Sequence, residues 1–436
     1  MVYFKTMRRQ RVVSFYNTNN LERTSFINTS KINFFEFFSL KILILVSFLK
    51  RMAENMKYSH DLIDTSVNLP NVCDRMKLIA GFLVASTSVH AYRLSKPFNP
   101  LLGETYELIS NEKNFRVCCE QVSHHPPISA VYSESLKSLG NKPLWKYYGS
   151  VNPQMKLNVL SACVEAFPEG IQTIEFLNHG EVYTYHNLKV SAHNLILGKL
   201  WFEYTGRTEI VNHKNNYKCI LDFKPYSWFK GQVNRVEGYI LDSNDNKIAL
   251  LSGKWDEFFY ATNDVENTNF YRQTEKLRDC DVKKSQVNFD PNDSIQLIWK
   301  SNDSAEILPD YYNFTEFTLS LNEMHDELTK PAYMVVKNAD STNKHVTCGP
   351  LPCTDARLRP DLRLYENGDI DNASYEKNRL EEKQRETQRK MESGEIPMFK
   401  PLWFDKKFHS IVSEEETWTF NDKYWDREFT DSPNIF

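Results

Sequence analysis

Glu237-Gly238-Tyr239-Ile240-Leu241-Asp242-Ser243-Asn244-Asp245-Asn246-Lys247-Ile248-Ala249-Leu250-Leu251 reads as a β-hairpin. Two β-rich runs flank five polar residues of the types that make turns. The acidic tip faintly resembles a calcium loop, but the distal glutamate is missing, so a plain hairpin tip is expected and no metal site. Working outward, Phe115-Arg116-Val117, Ile171 to Phe176, Glu181 to Tyr185 and Tyr217 to Phe223 alternate or run β-rich between turns. Many strands without intervening helices call for a large antiparallel sheet that buries its apolar face by curling into a barrel. Larger barrels enclose cavities, and 28 Phe with 22 Tyr are available to line one or to fill an ordinary core. Apolar residues recur at helical spacing in Phe48, Leu49, Met52 and Met56, and again in Met76, Ile79, Ala80, Leu83 and Val84, so two helices precede the sheet. Asp371 to Glu395 is charged and free of Gly and Pro until Gly394, which predicts a long helix after it.

Composition excludes several function classes. The chain of 436 residues could hold two or three domains, although all-β barrels reach this length as one. Its 53 basic and 57 acidic residues give no basic surplus for nucleic acid. Eight cysteines occur without a CxxC pair, the usage of reduced thiols in the cytosol. Neither a Walker loop nor a Rossmann fingerprint is present, so nucleotide chemistry and its cofactors are not expected. Phe34 to Leu49 is apolar, but Glu36 and Lys41 interrupt it. It falls short of the roughly 20 residues that cross a bilayer, and is read as not membrane-spanning. Residues 1–51 carry nine Lys or Arg against Glu22 and Glu36, the balance of a presequence or of a disordered tail.

Glu120-Gln121-Val122-Ser123-His124-His125-Pro126-Pro127 sets two imidazoles side by side before a stiff exit. Proline biases the residue before it toward extended backbone, which places the pair at a strand end or turn. Adjacent strand residues point to opposite faces, which disfavours a shared metal. Acid–base catalysis needs a nucleophile or activated water nearby, and none is evident. Two ring N–H donors aimed at an anion, or a pair of structural histidines, remain, and the doubling before Pro-Pro favours the anion. On the long helix, Lys377, Glu381 and Arg385 fall at i, i+4 and i+8, so they share one face with Glu381 able to bridge both cations. An anonymous charge run of this kind is usually a solvated face.

These residues carry a family resemblance. Glu120 to Pro127 resembles the signature of the oxysterol-binding protein family, and Lys96-Pro97-Phe98-Asn99-Pro100-Leu101-Leu102-Gly103-Glu104-Thr105 is similar to its other strong motif. Gly253-Lys254-Trp255, Tyr311-Asn313-Phe314-Thr315, Leu358-Arg359-Pro360-Asp361 and Glu366-Asn367-Gly368-Asp369 follow in order. The run from Gly198-Lys199-Leu200-Trp201 through Asn212-His213 to Phe223-Lys224-Pro225 is most similar to members that carry sterol. The resemblance implies a mainly β (α+β) fold: a large, incomplete antiparallel β-barrel enclosing a lipid tunnel, with N-terminal helices and a C-terminal helical subdomain. Residues 1–46 are then an atypical N-terminal segment, in which the family's usual lid sequence is not found, and 47–436 the lipid-binding domain. Within it, 329–350 is expected to be an inserted, exposed loop.

The resemblance also implies a function. Lys96, His124, His125, Lys377, Glu381 and Arg385 match positions that hold the headgroup of phosphatidylinositol 4-phosphate, Asn99 either joins them or locks the Pro97-to-Pro100 turn, and a sterol competes for the same tunnel. The expectation is a non-enzymatic, cytosolic lipid carrier working peripherally at membranes and their contact sites, without metal or cofactor. A bound phosphate is expected to raise the histidine pKa values, so that binding weakens at alkaline pH. Trp228 and Phe229, near Lys224 and Lys230, are candidates for membrane contact, and Glu36-Phe37-Phe38-Ser39 has a weak likeness to a motif that docks on endoplasmic-reticulum receptors. Two rival readings stand beside this one. A lipid sensor or scaffold would use the same pocket without transfer. Cys353 to Arg359 has the Cys-x5-Arg spacing of a phosphatase loop, but Asp355 sits where phosphate would lie and Pro360 removes a donor.

Overall fold

The computed structural model describes residues 43–91, 93, 96–140, 142–158, 163–194, 200–227, 233–277, 289–301, 313–330, 332–338, 342–412 and 414–436. Residues 42–436 form one compact unit. Its centre is a sheet of 14 strands. These are β1 (Thr105–Ser110), β2 (Phe115–His124), β3 (Pro127–Ser135), β4 (Trp145–Asn158), β5 (Cys163–Glu169), β6 (Ile171–Phe176) and β7 (Glu181–His186). The rest are β8 (Lys189–His193), β9 (Trp201–Asn212), β10 (Lys218–Phe223), β11 (Arg235–Leu241), β12 (Lys247–Lys254), β13 (Phe258–Thr262) and β14 (Gln296–Lys300). Hydrogen bonding runs β14-β13-β12-β11-β10-β9-β7-β6-β4-β3-β2-β1, with β5 and β8 bridging the outer halves of β4 and β9. Among the described residues the path does not join β1 back to β14, which fits the incomplete barrel expected.

Alternation decides which face each strand buries. In β13, Phe259 and Ala261 join the main core while Phe258 and Tyr260 point outward against Phe270 of the helix Phe270–Leu277. Gly253 of the Gly-Lys-Trp motif faces a close strand approach: a Cβ there would lie 2.1 Å from the Phe258 carbonyl oxygen. The inner face packs on α1 (Phe48–Glu54) and α2 (Val72–Ser88), whose apolar residues share one core cluster with the strands. Asn71 caps α2 through the Cys73 N–H at 2.8 Å, and the buried Arg75 guanidinium grips Glu181 of β7 at 2.6 and 2.8 Å. On the outside of β2 and β3, Cys118, Val122, Ala130 and Tyr132 meet an aromatic cluster of Trp403, Phe404, Phe420 and Tyr424.

Two expectations need adjustment. The strand Leu43–Ser47 pairs parallel with Lys96–Phe98, so the described fold begins ahead of the expected boundary at residue 47. Residues 329–350 are not a loop without structure: Ala332–Lys337 and Asn343–Cys348 form an antiparallel hairpin, with Val336 buried against Leu136. The β-branched run there finds an apolar partner, which a bare loop would lack. The apolar stretch from Phe34 lies largely outside the described residues; among those described, no helix is long and apolar enough to cross a membrane.

Candidate functional site

The paired histidines end one strand and open a turn. His124 closes β2 and pairs with Pro127 at the start of β3, and the His125–Pro126 bond is cis. The two rings lie 4.7 Å apart at 66°. His125 is exposed and His124 half-buried. Burial, and then the neighbouring His125, push the His124 pKa below its ordinary value, with the Glu381 carboxylate pulling the other way. In this site, burial and His125 therefore favour the uncharged ring. Among the described residues, no group of three or more His, Cys, Asp or Glu could hold a metal.

The second motif is knitted to the first. Gly103 N–H donates to the Gln121 carbonyl at 2.9 Å and Gln121 N–H to the Glu104 carbonyl at 2.8 Å. The Glu104 carboxylate accepts from Leu101 N–H at 2.9 Å and from Arg359 at 2.7 Å. Arg359 is 2% exposed and also donates to the Asn99 carbonyl at 2.9 Å and to both oxygens of Asp361 at 2.8 and 2.9 Å. The Leu-Arg-Pro-Asp motif is thus a clamp on the loop that carries Asn99. Glu120 is buried beneath the turn, where its carboxylate accepts from Leu402 and Trp403 N–H groups at 3.0 and 3.1 Å while burial pushes its pKa up to about 7.

The same clamp removes the phosphatase reading. Arg359, which would have to cradle phosphate, has its guanidinium engaged by two buried carboxylates and a carbonyl. Asp355 is held by Arg357 at 2.8 Å, and the Cys353 sulfur faces the Pro433 carbonyl at 3.6 Å.

The long helix supplies the third part. It runs Ile370–Glu392, here α3, capped by Asp369. Glu381 bridges Lys377 at 2.7 Å and Arg385 at 3.6 Å, as their spacing suggested, and Arg385 also reaches Glu382 at 3.0 Å. What joins α3 to the motifs is Gln384. Its side-chain NH2 donates to His124 Nε2 at 2.7 Å, and its oxygen accepts from Leu102 N–H at 2.8 Å.

The oxysterol-binding protein family model matches residues 40–429. The chain belongs to the oxysterol-binding protein family. It is 38% identical over 407 residues to oxysterol-binding protein-related protein 1 of Homo sapiens, a match covering 90% of this chain and 40% of that protein. The chain therefore spans about two-fifths of that relative's length. Among solved structures it is similar to the Osh1 ORD domain in complex with cholesterol, with TM-score 0.73 and 28% identity over 91% of this chain and 85% of that one. It is likewise similar to the Osh3 ORD of Saccharomyces cerevisiae in complex with PI(4)P, with TM-score 0.65 and 26% identity over 90% and 89% of the two chains.

Within this oxysterol-binding family fold, the turn of His124 and His125, the Asn99 loop and the Lys377–Glu381–Arg385 face meet around Gln384. The Asn99 side is exposed, with its carbonyl taken by Arg359. Lys96 sits in a strand beside Leu43, and its side chain lies outside the described residues, as do Trp228, Phe229, Lys230 and Glu36 to Ser39. Lys224 is ion-paired with Asp222. Sequence reasoning missed Gln384. The available signal was its position three residues after Glu381, on the same helix face.

Proposed function

We propose that this protein takes a sterol or a phosphoinositide, phosphatidylinositol 4-phosphate foremost, into one hydrophobic tunnel and exchanges the two between membranes. The headgroup is held by Lys96, Asn99, His124, His125, Lys377, Glu381 and Arg385. The observation that carries this reading is the junction at Gln384, which gathers the histidine turn, the Asn99 loop and the cationic face of α3. Likeness to one ORD domain solved with cholesterol and to another solved with PI(4)P supports both ligand classes.

Charge matching suits the headgroup. A phosphomonoester plus a phosphodiester carries about three negative charges near neutral pH, since the second phosphate pKa is near 6. Lys377 and Arg385 supply cations, Arg as a planar fork and Lys as a point charge, and the imidazoles supply directed N–H donors. Glu381 holds both cations in place and keeps their long side chains from collapsing elsewhere.

The direction of transfer follows from a comparison of free energies. Burying about 500 Å² of sterol surface at roughly 25 cal/mol/Å² is worth about 12 kcal/mol relative to water. The sterol leaves a bilayer that is equally apolar, so loading is nearly neutral. A gradient of the competing phosphoinositide between two membranes then drives the sterol the other way. The protein works in the cytosol, in peripheral contact with intracellular membranes at their contact sites.

Mass spectrometry of lipids that co-purify with the protein tests the reading. Sterol and phosphoinositide are expected from the wild type. Changing His124 and His125 together to Ala should abolish phosphoinositide recovery and leave sterol bound. Loss of neither lipid from the double variant, or absence of both from the wild type, overturns the assignment. If both lipids bind but neither moves between vesicles, the protein is a sensor.

A further inference from the structure

We propose that Gln384 is a positioning residue that fixes His124 as the neutral Nδ1–H tautomer, leaving Nδ1–H as the ring donor that receives a headgroup oxygen. The inference rests on the headgroup reading for its ligand, and on the hydrogen-bond network alone for the tautomer.

The network points to one assignment. The Leu102 backbone N–H can only donate, so the amide atom 2.8 Å from it must be the oxygen of Gln384. The other amide atom is then NH2, which can only donate, and it faces His124 Nε2 at 2.7 Å. A donor at that distance requires a lone pair on Nε2, so the ring proton resides on Nδ1. Flipping the amide would set NH2 against the Leu102 N–H and lose that bond, whereas the observed orientation, with Nε2 as the acceptor, keeps both. Leu102 itself cannot drift, because the Leu101 and Gly103 N–H groups on either side are bound to Glu104 and to Gln121, at 2.9 Å each.

Nδ1 is the nitrogen left over. It is buried and, among the described residues, has no hydrogen-bond partner. A buried N–H without an acceptor is costly, and an anionic oxygen would satisfy it. Among the described residues, the charged or titratable groups acting on the ring are His125 on its own turn and Glu381 on α3. Adding a proton at Nε2 would press an N–H against the Gln384 NH2, opposing Glu381 and acting with burial and His125. The headgroup thus meets a directed neutral donor at His124, while Lys377 and Arg385 supply the charge.

Nitrogen-15 NMR of histidine-labelled protein reads the tautomer directly, with His124 assigned by its loss in His124→Asn. The wild type at pH 7 is expected to show Nδ1 protonated and Nε2 bare, and to keep that pattern when a short-chain phosphatidylinositol 4-phosphate shifts the signals. Gln384→Glu presents an acceptor to both Leu102 N–H and His124, so it should move the proton to Nε2 and make the ring titrate at higher pH. Gln384→Met, of similar size, should leave mixed tautomers and weaken binding of the short-chain lipid on the order of tenfold, as expected for one lost hydrogen bond. A wild-type ring protonated on Nε2, or a tautomer unchanged in Gln384→Glu, overturns the proposal, and the wild-type spectrum decides even if a variant fails to fold. An Nδ1–H ring that the lipid does not perturb would instead defeat the headgroup reading and leave the tautomer assignment standing.

Discussion

Arg359 and Glu104, 255 residues apart in the chain, form a buried ion pair of 2.7 Å that closes the loop carrying Asn99 and Leu102. Asp361 shares the guanidinium, and both carboxylates are fully buried. Arg359→Met would leave two buried carboxylates without their cation. The expected cost is about 3–5 kcal/mol of stability, the range for breaking a buried pair by removing one partner. Urea unfolding measures it, and a loss below about 1 kcal/mol would show that the clamp is dispensable.

Lys377 and Arg385 differ from that clamp because both reach solvent, with Arg385 at 58% and Lys377 at 17% exposure. Replacing either by Ala should therefore leave folding within about 0.5 kcal/mol of wild type. It should weaken binding to vesicles containing phosphatidylinositol 4-phosphate, more strongly at low than at high salt, since screening removes exposed charge effects. Sterol binding should not change. Equal losses for both lipids would place the cations outside the headgroup site.

Proton linkage at His124 sets a specific pH window. Burial and His125 place its free value below the ordinary 6.5, and a bound anion pulls it upward. A ligand that favours the protonated form gains affinity as pH falls through the interval between those two values, by reciprocity. The ratio of wild-type to His124→Asn affinity cancels the phosphate's own titration. That ratio should rise as pH falls through the interval between the bound and free values and stay level above it. A ratio that falls on acidification would contradict the assignment.

Lys50 tests the electrostatics of the core independently of any lipid. It is fully buried in α1, donates to the Asn322 side chain, and is pushed down to about 7 by burial and then by Arg363, with Asp355 opposing and Arg357 adding to the push. The unfolded chain holds this proton up to about pH 10.4, so between roughly pH 7 and 10 the unfolded state binds more protons and stability rises with pH. The wild type should gain on Lys50→Met by up to about 1.4 kcal/mol per pH unit over that interval. Parallel stability curves for the two proteins would show that Lys50 keeps an ordinary pKa.

Much of this architecture is legible in the chain because it depends on local patterns. The alternation in Ile171–Phe176 and Lys218–Phe223 gives strands whatever surrounds them, and the spacing of Lys377, Glu381 and Arg385 fixes a shared helix face. The turn at His124 is readable from the prolines that follow it. The rest depends on contacts between distant segments. Gln384 is an unremarked amide in a charged helix until folding brings Leu102, 282 residues away, to its oxygen. Arg359 is visible as part of a motif, but its use as a clamp appears only once Glu104 is opposite. The hairpin at 332–348 differs again: Val335-Val336 carries a β signal, but its pairing with Asn343–Cys348 and the cover that Leu136 gives Val336 depend on the folded neighbours.

The central claim is that one site takes either lipid but not both. Equilibrium competition tests it most directly: protein loaded with a fluorescent sterol is titrated with a short-chain phosphatidylinositol 4-phosphate, and bound sterol and bound phosphoinositide are measured together. The account predicts release of one sterol for each phosphoinositide taken up, with no such release from the variant carrying Ala at both 124 and 125. Saturation of the protein with both lipids at once would contradict it.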